Sequence, residues 1–231
     1  MTSSKPIYYD TETTGIKAQT DRIIEIAAYD PVDDRRFEMF VNPGIPIPEE
    51  ASAVHGITDE MVQEAPSFKE VGQAFIDFCA GNTVLIAHNN DNFDKHFLRC
   101  EIERHGLDHP DWKMVDSLKW ARKYRPDLPK HSLQYLRQVY SVEANQAHRA
   151  MDDVIVLWKV FSYLIDDLTI DTVLELMEES GDTMPFGKHA GKPLKDVPKN
   201  YISWLLKEGA LDKPENANLK EAFEKLGLVN A

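Results

Sequence analysis

The order of hydrophobic patterns along the chain constrains its fold more than any other feature. Three strand-like runs come first: Ile7-Tyr8-Tyr9, residues 22–30 and residues 35–41. Pro31-Val32-Asp33-Asp34 between the last two is a hairpin signal, so those two pair antiparallel. After them, helical and strand patterns alternate. Phe68, Val71, Phe75 and Phe78 recur at helical spacing across residues 67–80, with Ser67 as N-cap. Residues 83–87 read as a short buried strand, and Phe93, Phe97 and Cys100 mark the next helix. Residues 112–115 form a brief strand, with helices following to Tyr124, over 131–140, over a long stretch lined by Ala150, Val154, Leu157, Trp158, Phe161 and Ile165, and over 170–179. Residues 42–53 read as a Pro-rich loop with a short helical turn. This order predicts an α/β fold, a mixed five-stranded sheet flanked by helices.

The first strand runs directly into Asp10-Thr11-Glu12-Thr13-Thr14-Gly15. Residues two apart on a strand share a face, so Asp10 and Glu12 project together. Neighbouring carboxylates repel and resist joint ionisation, and a hard cation such as Mg²⁺ or Mn²⁺ is the natural remedy. Further clusters lie downstream at strand ends and helix starts: His88-Asn89-Asn90-Asp91-Asn92-Phe93-Asp94, Asp116-Ser117, and His148-Arg149-Ala150-Met151-Asp152-Asp153. Each has an ordinary explanation. Asp91 or Asp94 can cap a helix, Asp116-Ser117 is best read as a cap, and Asp152 and Asp153 suit a helix N-terminus. Together with Asp10 and Glu12 they read as a metal site. His148 shares a helical face with Asp152 but not with Asp153, so spacing alone leaves the choice of aspartate open. The apolar stripe of Ala150, Val154 and Leu157 turns Asp153 inward and Asp152 towards solvent.

D-T-E-T-T-G, then A-H-N-x-x-x-F-D, then H-x-x-x-x-D, in this order, resembles the DnaQ-like 3′–5′ exonucleases of the DEDDh type, over roughly residues 6–165. Asp94 stands six positions after His88, one more than in many members, which bears on local loop shape. The resemblance implies a ribonuclease H-like fold. It implies four metal-binding carboxylates, Asp10, Glu12, Asp94 and Asp153, holding two Mg²⁺ that Mn²⁺ can replace. It makes His148 the general base and Thr13, His55, Asn89 and Phe93 substrate contacts. The expected reaction releases nucleoside 5′-monophosphates from the 3′ end of DNA, single-stranded or 3′-tailed, in repair or turnover. The alternatives are a proofreading epsilon-type subunit of DNA polymerase III, a 3′–5′ exoribonuclease acting on RNA, and an inactive 3′-end-binding module. A polymerase partner is not favoured, and a homodimer is left open.

The net charge of −13 argues against a broad electrostatic footprint on duplex DNA, although a substrate gripped by its end needs few basic side chains. The charge is uneven. Residues 1–180 carry 18 Lys and Arg against 32 Asp and Glu, whereas residues 181–231 carry 8 against 7. That shift, with Ser180-Gly181-Asp182 as linker, predicts a catalytic domain over 1–179 and a small C-terminal α/β module over 180–231. The module's sequence, from Met184 through Leu206, resembles the tail of exodeoxyribonuclease X. Its closely spaced Lys188, Lys192, Lys195 and Lys199 make Lys188 and Lys192 candidate nucleic-acid contacts, while Tyr201, Trp204 and Leu205 read first as module core. Cys79 and Cys100 are too few for a disulfide framework and read as buried thiols. The absence of an apolar run near 18 residues, and of a leader-like start, predicts no membrane segment and a reducing, cytoplasmic setting.

Overall fold

The computed structural model describes residues 3–143, 149–180, 184–213 and 216–229, the side chains of 178–180, 217, 218 and 225 excepted. It divides into two compact units, Met1–Asp171 and Thr172–Ala231. The division lies eight residues before the charge-based boundary.

In the first unit, β1 (Lys5–Thr13), β2 (Ile23–Asp30), β3 (Arg35–Phe40), β4 (Thr83–Ala87) and β5 (Lys113–Asp116) form one sheet in the order β3-β2-β1-β4-β5. β1, β2 and β3 pair antiparallel, and β4 and β5 extend the sheet in parallel. The mixed five-stranded sheet read from the pattern order is the one observed. β2 is buried at every position, as a strand covered on both faces must be, which explains its unbroken apolar run. Edge strand β3 has no buried position.

Helices α3 (Phe68–Phe78) and α4 (Asp94–Arg104) cover one face, closing a core of Ile7, Tyr9, Phe75, Phe97 and Ile102. Glu70 accepts the Ser67 backbone N–H at 3.0 Å, completing the expected cap at the start of α3. The long helix α7 (Ala150–Ile165) covers the other face, where Phe161 meets Tyr8 and Trp158 meets Tyr29 edge-on. Helices α5 (Ser117–Tyr124) and α6 (Leu133–Val139) pack on α7 through Ala121, Leu136, Val156 and Val160. The segment 42–53, expected as a loop with one helical turn, holds most of α1 (Glu49–His55), and α2 (Asp59–Val62) follows it; Ile47, Ile57 and Val62 anchor the region against Ile24. α8 (Ile170–Ser180) follows α7.

The second unit contains α9 (Lys199–Lys207) and α10 (Ala217–Lys225) with 3-10 turns at Gly187–His189, Leu194–Asp196 and Ala210–Asp212. Among its described residues there is no strand, which differs from the α/β expectation for this module. Its core is Met184, Leu194, Val197, Ile202, Leu205, Leu211, Leu219 and Phe223. Leu205 therefore belongs to the core as expected. Trp204 does not: it is 50 % exposed, because one helical step of about 100° turns it away from the buried Ile202–Leu205 row. Among the described residues no helix is long and apolar enough to cross a membrane. Cys79 is buried and Cys100 partly so, both as free thiols.

Candidate active site

β1 continues past Tyr9 to Thr13, so Asp10 and Glu12 are strand residues rather than residues just beyond a strand. Alternation puts them on the same face as Tyr8, the face covered by α7. Asp153 lies in the first turn of α7. One carboxylate oxygen from each of Asp10, Glu12 and Asp153 lies within 4.8 Å of the others. The inward turn predicted for Asp153 is what joins it to the pair. Gln134 on α6 donates from Nε2 to Asp153 Oδ1 at 3.0 Å and fixes its orientation.

Asp94 reaches the site by another route. The pairing of β1 with β4 ends at Tyr8–Ile86, which leaves the next stretch of β1 open on that edge. Asp94, at the start of α4, fills the opening. Its Oδ1 accepts from the Thr11 hydroxyl at 2.8 Å and the Thr11 backbone N–H at 3.2 Å. The buried Asp94 is thus held beside the three-carboxylate cluster.

The electrostatics are those of buried carboxylates crowded together. Burial, followed by the charges of Asp94, Glu12 and Asp153, pushes Asp10 well above the usual carboxylate range. Burial, then Glu25 and Asp153, pushes Glu12 up to about 8. Burial lifts Asp94 to about 7 against the opposing hydrogen bonds from Thr11. Clustered hard oxygen donors of this kind fit a divalent ion such as Mg²⁺ or Mn²⁺.

A cavity of about 570 Å³ opens beside the cluster and shares Glu12 with it. Thr13, Gly15, Ile16, Val54, His55 and Phe93 are among its lining residues, so three of the four expected substrate contacts lie on it. Thr13 is buried and donates from Oγ1 to the Gly15 carbonyl at 2.6 Å, tightening the turn after β1. His55 ends α1, and its Nδ1 accepts the Ile57 N–H at 3.0 Å, which assigns the proton of the neutral ring to Nε2. Phe93 packs on Phe97, with ring centroids 4.9 Å apart. Asn89 is not among the lining residues. It adopts a positive φ of 69° and accepts from Asn92 Nδ2, shaping the turn that delivers Phe93 and Asp94. His148 lies outside the described residues. Lys188 and Lys192 are exposed residues of the second unit.

Several site-building residues escaped the sequence reading. Glu25 is buried on β2 directly opposite Glu12. Its carboxylate meets Arg149 Nη2 at 3.2 Å and the Ala150 backbone N–H at 3.3 Å, so it grips the first turn of the helix that carries Asp153. The available signal was a lone acid inside an otherwise apolar strand. Arg104 donates to the carbonyls of Ala18 and Gln19, at 3.2 and 3.1 Å, while paired with buried Glu101 at 2.6 Å. That anchors the loop whose Thr20 and Asp21 wall the cavity. Asp116 caps α5, as expected, and its carboxylate also accepts the N–H groups of Asn89 and Asp91, which stitches the Asp94 loop to β5. Burial pushes His88 down to about 4, leaving a neutral ring whose Nδ1 pairs with the Ser117 hydroxyl at 2.8 Å.

Comparison with known proteins places these features in context. Residues 7–161 match the family model described as Exonuclease. Residues 172–217 match a second model, whose description names a quorum-sensing-regulated virulence factor. The chain is 40 % identical over 167 residues to the DNA polymerase III subunit epsilon of Treponema pallidum, covering 68 % of this chain and 74 % of that protein. It is 36 % identical over 181 residues to the chloroplastic/mitochondrial exonuclease DPD1 of Arabidopsis thaliana, covering 71 % and 57 %. A PolC-type DNA polymerase III of Lacticaseibacillus paracasei is 35 % identical over 156 residues, of which this chain spans only 11 % of the length. Among solved structures, E. coli exonuclease I in complex with a dA16 oligonucleotide superposes with a TM-score of 0.64 at 19 % identity, over 87 % of this chain and 45 % of that one. At that identity the likeness concerns the fold.

Proposed function

The chain belongs to the exonuclease family and is a 3′–5′ exonuclease, and on that premise we propose that it removes nucleoside 5′-monophosphates from the 3′ end of single-stranded or 3′-tailed DNA. The observation that carries the reading is the cluster of Asp10, Glu12 and Asp153 within 4.8 Å, beside a cavity of about 570 Å³ that shares Glu12 with it. Asp10, Glu12 and Asp153, with Asp94 beside them, would hold two divalent cations, Mg²⁺ or Mn²⁺. Bound there, the cations supply Lewis-acid activation of a scissile phosphodiester and balance the clustered charge.

The residues divide the remaining work. The turn Thr13-Thr14-Gly15 brings backbone close to the terminal sugar. Ile16 is 82 % exposed at the cavity rim, and with Val54 and Phe93 it offers apolar contact to the terminal base. His55 lines the same cavity. His148 would accept the proton of the attacking water, the task of a general base. Glu25 and Arg149 fix the entry into α7, and with it the position of Asp153.

A second reading has its own support. The likeness to an epsilon subunit over 74 % of that protein favours a role in proofreading beside a polymerase. Co-elution of the full chain with the replicative polymerase subunit from the same genome supports that role, and separate elution supports the free-standing enzyme.

The substrate reading is tested by incubating matched 3′-tailed DNA, blunt duplex DNA and RNA with the enzyme and Mg²⁺. Preferential shortening of the 3′-tailed DNA is expected. Equal or faster loss of RNA overturns the DNA assignment, and no hydrolysis of any substrate overturns the enzymatic one.

A further inference from the structure

The second unit carries an aromatic ladder on its surface. Gly187 adopts a φ of 76°, and a Cβ there would collide with the Tyr201 hydroxyl. This close approach lets the 3-10 turn Gly187–His189 lie against α9. The His189 ring then meets Tyr201 edge-on, with centroids 4.7 Å apart. Tyr201 in turn stacks on Trp204 at 5.4 Å, with an interplanar angle of 28°. Trp204 is half exposed, and the unit's core is complete without it. An exposed indole in a stacked row is costly to leave in water and is the usual platform for a planar ligand.

The surroundings are basic in an acidic chain. Residues 184–208 hold five lysines, Lys188, Lys192, Lys195, Lys199 and Lys207, against Asp196 and Glu208, whereas the whole chain carries −13. All five lysines are exposed. Lys188 sits in the turn that delivers His189, and Lys207 lies one helical turn beyond Trp204 on the same face of α9. Lys192 is held in the adjoining turn, where Met184 donates to its carbonyl at 2.8 Å. Lysines thereby flank the ladder on the turn that carries His189 and on α9 beyond Trp204.

We propose that His189, Tyr201 and Trp204, with Lys188, Lys192 and Lys207, form a binding surface for single-stranded nucleic acid, bases stacking on the rings and phosphates meeting the lysines. The surface is distinct from the carboxylate site and deepens the proposed function by adding a grip on strands longer than the terminal nucleotide. Stacked rings without a pocket select no particular base, so the preference is for unpaired strands of any sequence.

The test uses the full chain carrying Asp10→Asn, in EDTA, with 5′-fluorescein dT30 and U30 followed by anisotropy. No cleavage enters the readout, so failure of this surface is distinguishable from failure of the exonuclease assignment. Trp204→Ala is expected to weaken binding at least about fivefold, the lower end for loss of one stacked base. Trp204→Phe, which keeps a ring, should restore most of it. Lys188→Ala with Lys192→Ala should flatten the slope of log affinity against log salt by about 1.4. Val32→Ala, an exposed apolar residue of the turn between β2 and β3, is the control and should bind as the parent does. The proposal is overturned if Trp204→Ala binds both oligonucleotides like the parent. It is equally overturned if Trp204→Ala and Trp204→Phe lose binding together with melting temperature, which would make the indole a packing residue. A difference between the dT30 and U30 arms assigns the surface to DNA or to RNA.

Discussion

Replacing Asp153 by asparagine should stabilise the metal-free protein while removing its response to metal. The amide keeps the side chain's shape and can keep the 3.0 Å contact with Gln134. What it deletes is charge. With the three carboxylate oxygens within 4.8 Å of one another, each ionised pair repels by at least ~3.5 kcal/mol at an effective dielectric of 20. The folded protein avoids part of this by holding protons. A carboxyl at about 8 instead of 4.5, as at Glu12, costs the metal-free fold about 5 kcal/mol once ionised. The sign follows from the raised value. Below pH 4.5 the group is protonated in both folded and unfolded chains and costs nothing. As pH climbs towards about 8 the unfolded chain has already released its proton, and the fold loses stability. Burial is the largest cause at Glu12 and Glu25 precedes Asp153, so the substitution relieves less than half of the cost, about 2 kcal/mol at pH 8. For a chain of this size that is a rise of about 4–8 °C in melting temperature. The assay is thermal unfolding in EDTA and in Mg²⁺ at pH 5 and pH 8. Wild type should be less stable at pH 8 than at pH 5 in EDTA, with Mg²⁺ restoring it. Asp153→Asn should lose less than half of the pH effect and most of the Mg²⁺ effect. An unchanged or lower melting temperature at pH 8 in EDTA, with the Mg²⁺ shift intact, would refute the reasoning.

Other outcomes follow from single contacts. Glu25→Ala strips the partly buried Arg149 guanidinium and the buried Ala150 N–H of their acceptor, and should cost about 2–4 kcal/mol in thermal unfolding and at least tenfold in hydrolysis rate. Wild-type rate and stability in that variant would remove Glu25 from the site. Asp152→Asn, on the outer side of α7, should stay within about twofold of wild type in a nuclease assay; damage equal to that of Asp153→Asn would reverse their assignment. Asp116→Ala loses an N-cap and the acceptors for Asn89 and Asp91, and should lower stability by about 1–2 kcal/mol and raise the metal concentration needed for half-maximal rate, read by Mn²⁺ titration. Apparent affinity for Mg²⁺ should rise steeply from pH 6 to pH 8, because Asp94 near 7 and Glu12 near 8 must release protons to the incoming ion; calorimetry showing no pH dependence would contradict the raised values.

The parts of this molecule written in local periodicity were legible in the sequence. The early strand triplet, the alternation after it and the apolar stripe of α7 gave the sheet and turned Asp153, not Asp152, towards the cluster. Asp116 behaved as the cap it resembled. What escaped depends on contacts between distant segments. Thr11 carries no signal of its own between two acids, yet its N–H faces an edge left open because the pairing of β1 with β4 ends at Tyr8–Ile86. Glu25 gains its role from an arginine 124 positions away. The helical turn expected before His55 was legible, but α2 after it was not: Ile47, Ile57 and Val62 close over Ile24, a tertiary cause hidden in a Pro-rich stretch. Trp204 was misread as core because hydrophobicity alone does not say which side of a short helix faces inward.

The central claim is metal-dependent removal of nucleotides from a 3′ end by the carboxylate cluster. The most direct measurement follows a 5′-labelled 3′-tailed DNA with the purified full chain in Mg²⁺, identifying the released species by mass. The account predicts a ladder shortening one nucleotide at a time from the 3′ end, release of nucleoside 5′-monophosphates, and loss of both on adding EDTA or in Asp10→Ala. Hydrolysis that persists in a clean Asp10→Ala preparation, or products ending in a 3′-phosphate, would contradict it.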